Sequence, residues 1–446
     1  MTDSAAPAVP VEPTFFDLTR YQWTVLFAAW LGWGFDVFDG LLFNYIAPNC
    51  VPTLLGLEIG SKAAKSGVLL WTGICTSVLL VGWAVGGIVF GRVADKIGRS
   101  KTLLWTMVLY GVGTAACAFS PNIACLLVFR LVASLGIGGE WAAGAAMVAE
   151  VVPEKRRVEA GALLYSSAPF GLFLATFLVH LISGNLVKDP AISWRVVFLC
   201  GLIPAAVAFI VRSFVKEPER WEHAIGSGPA PSVAELFTPK YLKITISGFA
   251  MALVALITWW SCNAFIPVFS TALASAHAAA HGLDKGHTQK TIEDWKALAT
   301  NCFNWGGLIG TLLTVPVAKR LGRKQMFFIY YLLSGIAVMS AFGLPMEEHH
   351  RLYMFFPIGL TVFGIFGAFT FYLPELFPTR LRGTGAGFCY NVGRFVAAAG
   401  PFVVGKIASH GPAAMSHALF CVGFVPLLGL LALPLVIETK GRDLLD

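Results

Sequence analysis

Several ionisable side chains stand inside long apolar stretches of this 446-residue sequence, and a charge in such surroundings needs a reason. At the centre of a membrane span an Asp, Lys or Arg costs roughly 2.5–3.5 kcal/mol on insertion scales. Asp36 and Asp39 lie in the first stretch, three residues apart and therefore on one helical face. Two carboxylates this close do not both ionise readily in a low dielectric, so one of them exchanging a proton near the working pH would serve as a coupling site, and Asp36, the deeper, is the preferred carrier. The bland alternative is an outer acid in hydrated loop or at a helix end, since Gly32, Gly34 and Gly40 permit local unwinding.

Arg394 lies about ten residues, hence ~15 Å, into the eleventh stretch. A guanidinium stays charged at physiological pH and presents a planar fork to a carboxylate. Tyr390 and Asn391, one turn earlier, add hydrogen-bonding groups on about the same face. The alternative, a structural ion pair, lacks an acid nearby in the same stretch. Arg130 and Glu140 in the fourth stretch are separated by about −80° round a helix and need not share a face; Arg130 could contact Asp36 or Asp39 and sense their protonation. No nucleophile elbow, phosphate loop or paired metal-ligand spacing occurs, and most of the nine cysteines sit inside apolar runs. No enzymatic activity, cofactor or metal is expected.

The elements that position these residues follow from composition. The chain is 57% hydrophobic and 13% charged, with mean hydropathy +0.72, whereas an ordinary soluble domain is about a quarter charged. Twelve apolar runs, from Tyr21–Pro48 to Ala413–Ile437, are long enough to cross the ~30 Å hydrocarbon core and too long and unbroken for β-barrel strands. The expected fold is an all-α membrane protein. The first run lacks a following cleavage site and reads as a retained span. Lys and Arg concentrate on the side of the termini, for example at Arg92, Lys96, Lys155, Arg156, Arg212 and Lys216, against a sparse set opposite that includes Lys62, Lys188 and Lys285. By the positive-inside rule both termini are cytoplasmic in an inner (plasma) membrane. The net charge of +7 is thus a topology signal and implies no nucleic-acid partner.

Val93-Ala-Asp-Lys-Ile-Gly-Arg99 is echoed by Val317-Ala-Lys-Arg-Leu-Gly-Arg323, 224 positions later, and Glu150, Pro153 and Arg157 recur as Glu375, Pro378 and Arg382 at a shift of 225. Two matches at a half-chain offset imply two similar six-helix halves with a site at their interface. The expected division is a disordered tail 1–19, an N-terminal half 20–215, a cytoplasmic linker 216–243, a C-terminal half 244–437 and a tail 438–446. Residues 271–297, with His277, His281 and His287, read as a hydrated loop containing short helices at Ala272–Ala280 and Thr291–Ala299. Trp71, Trp259, Trp260, Trp305, Tyr165 and Phe170 are candidate cavity-lining aromatics.

The segment Gly91-Arg-Val-Ala-Asp-Lys-Ile-Gly-Arg-Ser-Lys101 resembles the signature loop of the major facilitator superfamily, and the resemblance extends over the chain. Arg130 with Gly136-Ile-Gly-Gly-Glu-Trp141, Pro374-Glu-Leu-Phe-Pro-Thr-Arg-Leu-Arg-Gly383, Tyr390-Asn-Val-Gly-Arg394 and Glu438-Thr-Lys-Gly-Arg442 are similar to the metabolite:proton and sialate:proton symporter branches. The resemblance implies organic anions as substrates, inter-helix charge contacts for Arg130 and a branch-marking role for Glu140. It also supports a gate at the cytoplasmic mouth formed by Asp95, Arg99, Glu150 and Arg157 with Arg323, Glu375 and Arg382, whose charges pair between helices when the mouth closes. Span seven departs from the lactate and pyruvate carriers: Thr258-Trp-Trp-Ser-Cys-Asn263 stands in place of a His- and Asp-containing signature, which counts against a monocarboxylate.

The reading that unites these residues is a proton-coupled symporter of a small organic anion, such as a carboxylate or acidic sugar, working as a monomer in the bilayer. A facilitator or exporter of a neutral or cationic molecule is the alternative. A membrane sensor would need a signalling domain, and only Glu438–Asp446 follows the last run.

Overall fold

The computed structural model describes residues 18–153, 156–213, 232–378 and 381–440; the side chains at 91–92, 94–96, 99, 140–146, 149–150, 157–158, 184 and 382–383 lie outside the description. In lipid every backbone polar group must be satisfied internally, and helices do this within one segment. The first half runs through α1 (Arg20–Leu55), α2 (Lys62–Ile97), α3 (Arg99–Ala118), α4 (Ile123–Val151), α5 (Arg157–Leu181) and α6 (Pro190–Cys200, resuming as Leu202–Ser213). The second runs through α7 (Leu242–Asn263, resuming as Ile266–Ala280), α8 (Lys285–Leu321), α9 (Arg323–Gly343), α10 (Glu348–Leu376, with internal breaks), α11 (Arg382–Ala397, resuming as Ala399–Ala408) and α12 (Pro412–Val422, resuming as Phe424–Leu431). Twelve membrane helices thus form two six-helix halves.

Among the described residues, eight helices are long and apolar enough to cross a membrane by composition: α1, α2, α5, α6, α7, α9, α10 and α12. Three of the others carry buried polar side chains that lower their hydropathy. These are Arg130 on α4, Glu293, Lys296 and Asn304 on α8, and Asn391 and Arg394 on α11. Such residues are tolerated where a helix is packed inside a bundle.

Local signals set the helix ends. Thr19 caps α1, accepting from the Gln22 backbone at 3.2 Å while the Gln22 side chain accepts from the Thr19 backbone at 2.9 Å. The echoed loops share one backbone geometry: Gly98 between α2 and α3 has φ 108°, and Gly322 between α8 and α9 has φ 91°. Only glycine adopts that conformation without strain, which explains its place in both copies. A Cβ on Gly138 would overlap the backbone oxygen of Trp83 and one on Gly136 would crowd that of Thr106, so this glycine run lets α4 seat against both α2 and α3.

The two halves meet along a seam. On the side away from the termini, Ser66 and Ser77 of α2 donate to the backbone oxygens of Ser409 (2.8 Å) and Ala398 (2.7 Å) of α11. A Cβ on Gly73 would lie 2.5 Å from the Pro401 oxygen. Thr176 of α5 donates to Thr300 of α8 at 3.2 Å.

The two short helices expected at 272–280 and 291–299 are present as parts of longer ones, and the expected hydrated loop around them is corrected. It is a helical hairpin in which α7 runs to Ala280 and α8 begins at Lys285. Gly282 (φ 63°) makes the turn, and Asp284 caps α8 by accepting from the His287 backbone at 2.9 Å. Buried apolar contacts explain the difference: Ala274, Ala278, Trp295 and Ala299 pack inward, and Glu293 and Lys296 pair at 2.5 Å while both are buried. An ion pair one helical turn apart neutralises the polarity that made this stretch look like loop.

Candidate functional site

Three second-half helices break beside the centre of the bundle. The first piece of α7 ends at Asn263, α10 widens into a π-helical turn over Gly359–Phe363, and the first piece of α11 ends at Ala397. Trp259 and Trp260 stand just before the first break, Phe363 and Phe366 flank the second, and Arg394 occupies the last turn before the third. A cation is favoured there by the carbonyls of the helix end. On the other wall α1, α2 and α5 run past unbroken.

Between these walls lies a cavity of about 20 Å³, room for a single water. The first half contributes Trp33, Val37, Leu41, Trp83, Tyr165 and Ala168, and the second contributes Trp259, Trp260, Phe363, Phe366, Tyr390 and Arg394. Arg394 is 2% exposed. Its guanidinium carbon lies 4.3 Å from the centroid of Trp83, across the seam, and 4.6 Å from that of Tyr390. Nη1 donates to Asn391 Oδ1 at 3.2 Å, so the expected trio of Arg394, Asn391 and Tyr390 is one cluster. The Tyr165 and Tyr390 hydroxyls hydrogen-bond to each other between the halves. Asp36, buried in α1, is in electrostatic reach of Arg394. The acid missing from the arginine's own helix comes from the opposite half.

Asp39 has different neighbours. Its Oδ2 accepts from Thr114 of α3 at 2.6 Å, and Oδ1 is buried with no hydrogen bond among the described residues. Arg130 is electrostatically close to Asp39 but gives its hydrogen bonds to backbone, donating to the oxygens of Asp39 (3.3 Å) and Gly40 (2.6 Å). The two acids therefore face separate surroundings, Asp36 towards the seam and Asp39 inside the first half. The side chain of Glu140 lies outside the described residues.

At the mouth on the termini side, Arg323 grips Glu375 with both arms, Nε to Oε2 at 3.0 Å and Nη2 to Oε1 at 2.6 Å. Thr439 donates to Glu375 Oε2 at 2.5 Å, and Glu438 accepts from the backbone of Arg323, Lys324 and Lys440. The closing Glu438-Thr439 pair thus fastens the start of α9. Among the described residues at this mouth, Lys319 Nζ pairs with Glu159 Oε1 across the halves at 2.6 Å. The side chains of Asp95, Arg99, Glu150, Arg157 and Arg382 lie outside the described residues.

Of the aromatics singled out from sequence, Trp259, Trp260 and Tyr165 line the cavity, whereas Trp305 and Phe170 are about half exposed on the outer surface and Trp71 packs against the core. Sequence reasoning missed Trp33, Trp83, Phe363 and Phe366. For Trp33 a signal existed, because Trp33, Val37 and Leu41 are four apart and make one stripe beside Asp36. For Phe363 and Phe366 none did, since a π-helical turn shifts the faces behind it. The arrangement can hold a small anion against a buried guanidinium flanked by aromatic rings.

A family model described as Major Facilitator Superfamily matches residues 23–401. The "Probable 4-methylmuconolactone transporter" of Cupriavidus pinatubonensis is 29% identical over 94% of this chain and 91% of its own length. The sialic acid transporter NanX of Escherichia coli is 25% identical over 92% of this chain and 93% of its own. The crystal structure of a D-xylose-proton symporter superposes with a TM-score of 0.72 at 17% identity, covering 95% of this chain and all of that one.

Proposed function

This chain belongs to the major facilitator superfamily, and from that premise we propose that it is a proton-coupled symporter of a small organic anion. It is a multi-pass membrane transporter and not an enzyme. The observation that carries the finer reading is the buried Arg394 on the cavity wall, with Asp36 of the other half in electrostatic reach. A relative named for sialic acid makes an organic anion a natural cargo.

In this mechanism Arg394 holds the substrate carboxylate, with Asn391 and Tyr390 orienting the guanidinium. A proton on Asp36 or Asp39 removes a negative charge that competes for the same region, so proton and anion load together. The loaded site is then close to neutral and reorients at lower electrostatic cost than a charged one. Arg130 fixes the backbone beside Asp39, and Glu140 belongs to the same coupling region. Asp95, Arg99, Glu150 and Arg157 form the gate with Arg323, Glu375 and Arg382, on a cytoplasmic side assigned from the Lys and Arg distribution, and one chain suffices. The domain limits are those of the sequence: halves 20–215 and 244–437 joined by 216–243.

The test is uptake by purified protein in proteoliposomes with and without an inward proton gradient. Gradient-driven accumulation that is lost in the Asp36→Asn, Asp39→Asn double variant is expected. Accumulation indifferent to the gradient, or to that variant, removes the coupling claim. Transport of a cation that survives Arg394→Ala would favour the alternative of a cation or neutral-compound carrier.

A further inference from the structure

The cavity wall is more specific than its charge. Trp33, Trp83, Trp260, Trp259, Phe366 and Tyr165 form a closed circuit in which successive ring centroids lie 6.1, 5.7, 4.6, 5.9, 6.1 and 6.1 Å apart. Three of these rings come from each half. Tyr165 and Phe366 are nearly parallel, with an interplanar angle of 19°.

Polar groups on this wall are few. The Tyr165 and Tyr390 hydroxyls hydrogen-bond to each other. The indole N–H groups of Trp83 and Trp259 are buried and have no hydrogen-bond partner among the described residues. The guanidinium carbon of Arg394 lies 4.3 Å from the Trp83 ring centroid and 4.6 Å from that of Tyr390, which sets the one positive charge of the wall among its rings.

We infer that the cargo is a planar aromatic or heteroaromatic monocarboxylate, its ring stacked inside this collar and its carboxylate directed to Arg394. The inference rests on the anion-symport reading and narrows it. A flat ring between two others needs roughly 7 Å between their faces, an opening of at least about 1 Å beyond the present spacing of Tyr165 and Phe366. A puckered, substituted ring is thicker and needs more. A sugar acid would also bury several hydroxyls against rings, and each one left unpaired lowers affinity by roughly tenfold. A ring hydroxyl or ring nitrogen, by contrast, can accept from the waiting indole N–H of Trp83 or Trp259. The Trp259-Trp260 pair, in the segment whose sequence counts against monocarboxylates of the lactate type, supplies two rings of the collar, so what it disfavours is a small hydrophilic acid.

The experiment uses the full chain in proteoliposomes under an inward proton gradient. Uptake of labelled benzoate, 4-hydroxybenzoate and nicotinate is compared with that of cyclohexanecarboxylate, gluconate and N-acetylneuraminate. The aromatic acids should be taken up, cyclohexanecarboxylate at least tenfold more weakly at equal charge, and the two sugar acids not at all. Trp259→Leu and, separately, Phe366→Leu should bring the ratio of benzoate to cyclohexanecarboxylate towards one, while thermal unfolding reports that each variant is folded. Equal uptake of benzoate and cyclohexanecarboxylate overturns the inference, as does failure of all three aromatic acids. If gluconate or N-acetylneuraminate is then transported in a way that Arg394→Ala abolishes, the anion reading stands without the aromatic one. If none of the six acids is transported, both fall.

Discussion

Replacing Arg394 by lysine keeps the positive charge and removes the planar, two-armed geometry of the group. The guanidinium carbon lies 4.3 and 4.6 Å from two ring centroids, and each such contact is worth about 0.5–2 kcal/mol. Lysine retains part of that, as a point charge on a flexible stem. It loses the planar fork, and with it one of two charge-assisted hydrogen bonds to a carboxylate, worth about 1.5–3 kcal/mol. A net loss of about 2–3 kcal/mol in anion binding is the expected result, or roughly a 30- to 150-fold rise in the half-saturating concentration. Substrate counterflow in proteoliposomes isolates this effect, because exchange requires binding and reorientation but no gradient. The variant should unfold within a few degrees of the parent, since the ammonium can still donate to Asn391. Half-saturation within threefold of the parent, together with retained exchange in Arg394→Ala, would show that the guanidinium does not hold the cargo.

Three further outcomes follow from the geometry. Reversing one partner of the inter-half bridge, as in Lys319→Glu or Glu159→Lys, should change the uptake rate severalfold, and combining the two should restore it; a double variant no better than either single would mean that the 2.6 Å contact does no gating. Gly138→Ala places a methyl group onto the Trp83 carbonyl and should destabilise the protein by about 1–3 kcal/mol, read as a lower midpoint of thermal unfolding. Burial pushes the Glu438 carboxyl up, but the backbone N–H groups of Arg323, Lys440 and Lys324 more than offset this and hold it below its usual value of 4.5. A depressed carboxyl stabilises the folded state above the unfolded value and ceases to do so as pH falls through the folded one. Amide exchange in the first turn of α9 should therefore speed up as pH drops below 4.5, after correction for the intrinsic rate, and Glu438→Gln should abolish that dependence.

Much of the architecture was legible in the sequence, because a bilayer leaves few solutions for long apolar runs and because Gly98 and Gly322 mark the repeat with a conformation only glycine takes easily. Arg394, Asn391 and Tyr390 were legible as a group, since helical spacing alone brings them together. Their covering was not: Trp83 and Asp36 reach Arg394 from the other half, and no spacing rule within one helix reports a neighbour more than three hundred positions away. The α7–α8 hairpin was misread for a related reason. Glu293 and Lys296 look hydrophilic one at a time and are buried as a pair. Lys319 stands where the first copy of the loop has Asp95, and its partner Glu159 belongs to neither echo.

A membrane that holds a proton gradient behaves as a charged capacitor, and a continuous thread of water through any carrier would short it. The circuit of six rings spans the seam between the halves. The space it encloses has room for a single water. Opening the cavity towards either face separates rings of one half from rings of the other, Trp83 from Trp260 and Tyr165 from Phe366, at about 0.5–1.5 kcal/mol for each pair. The rings that give the cavity its shape thus also resist its opening, and in the proton-coupled carrier proposed above that resistance would serve as insulation.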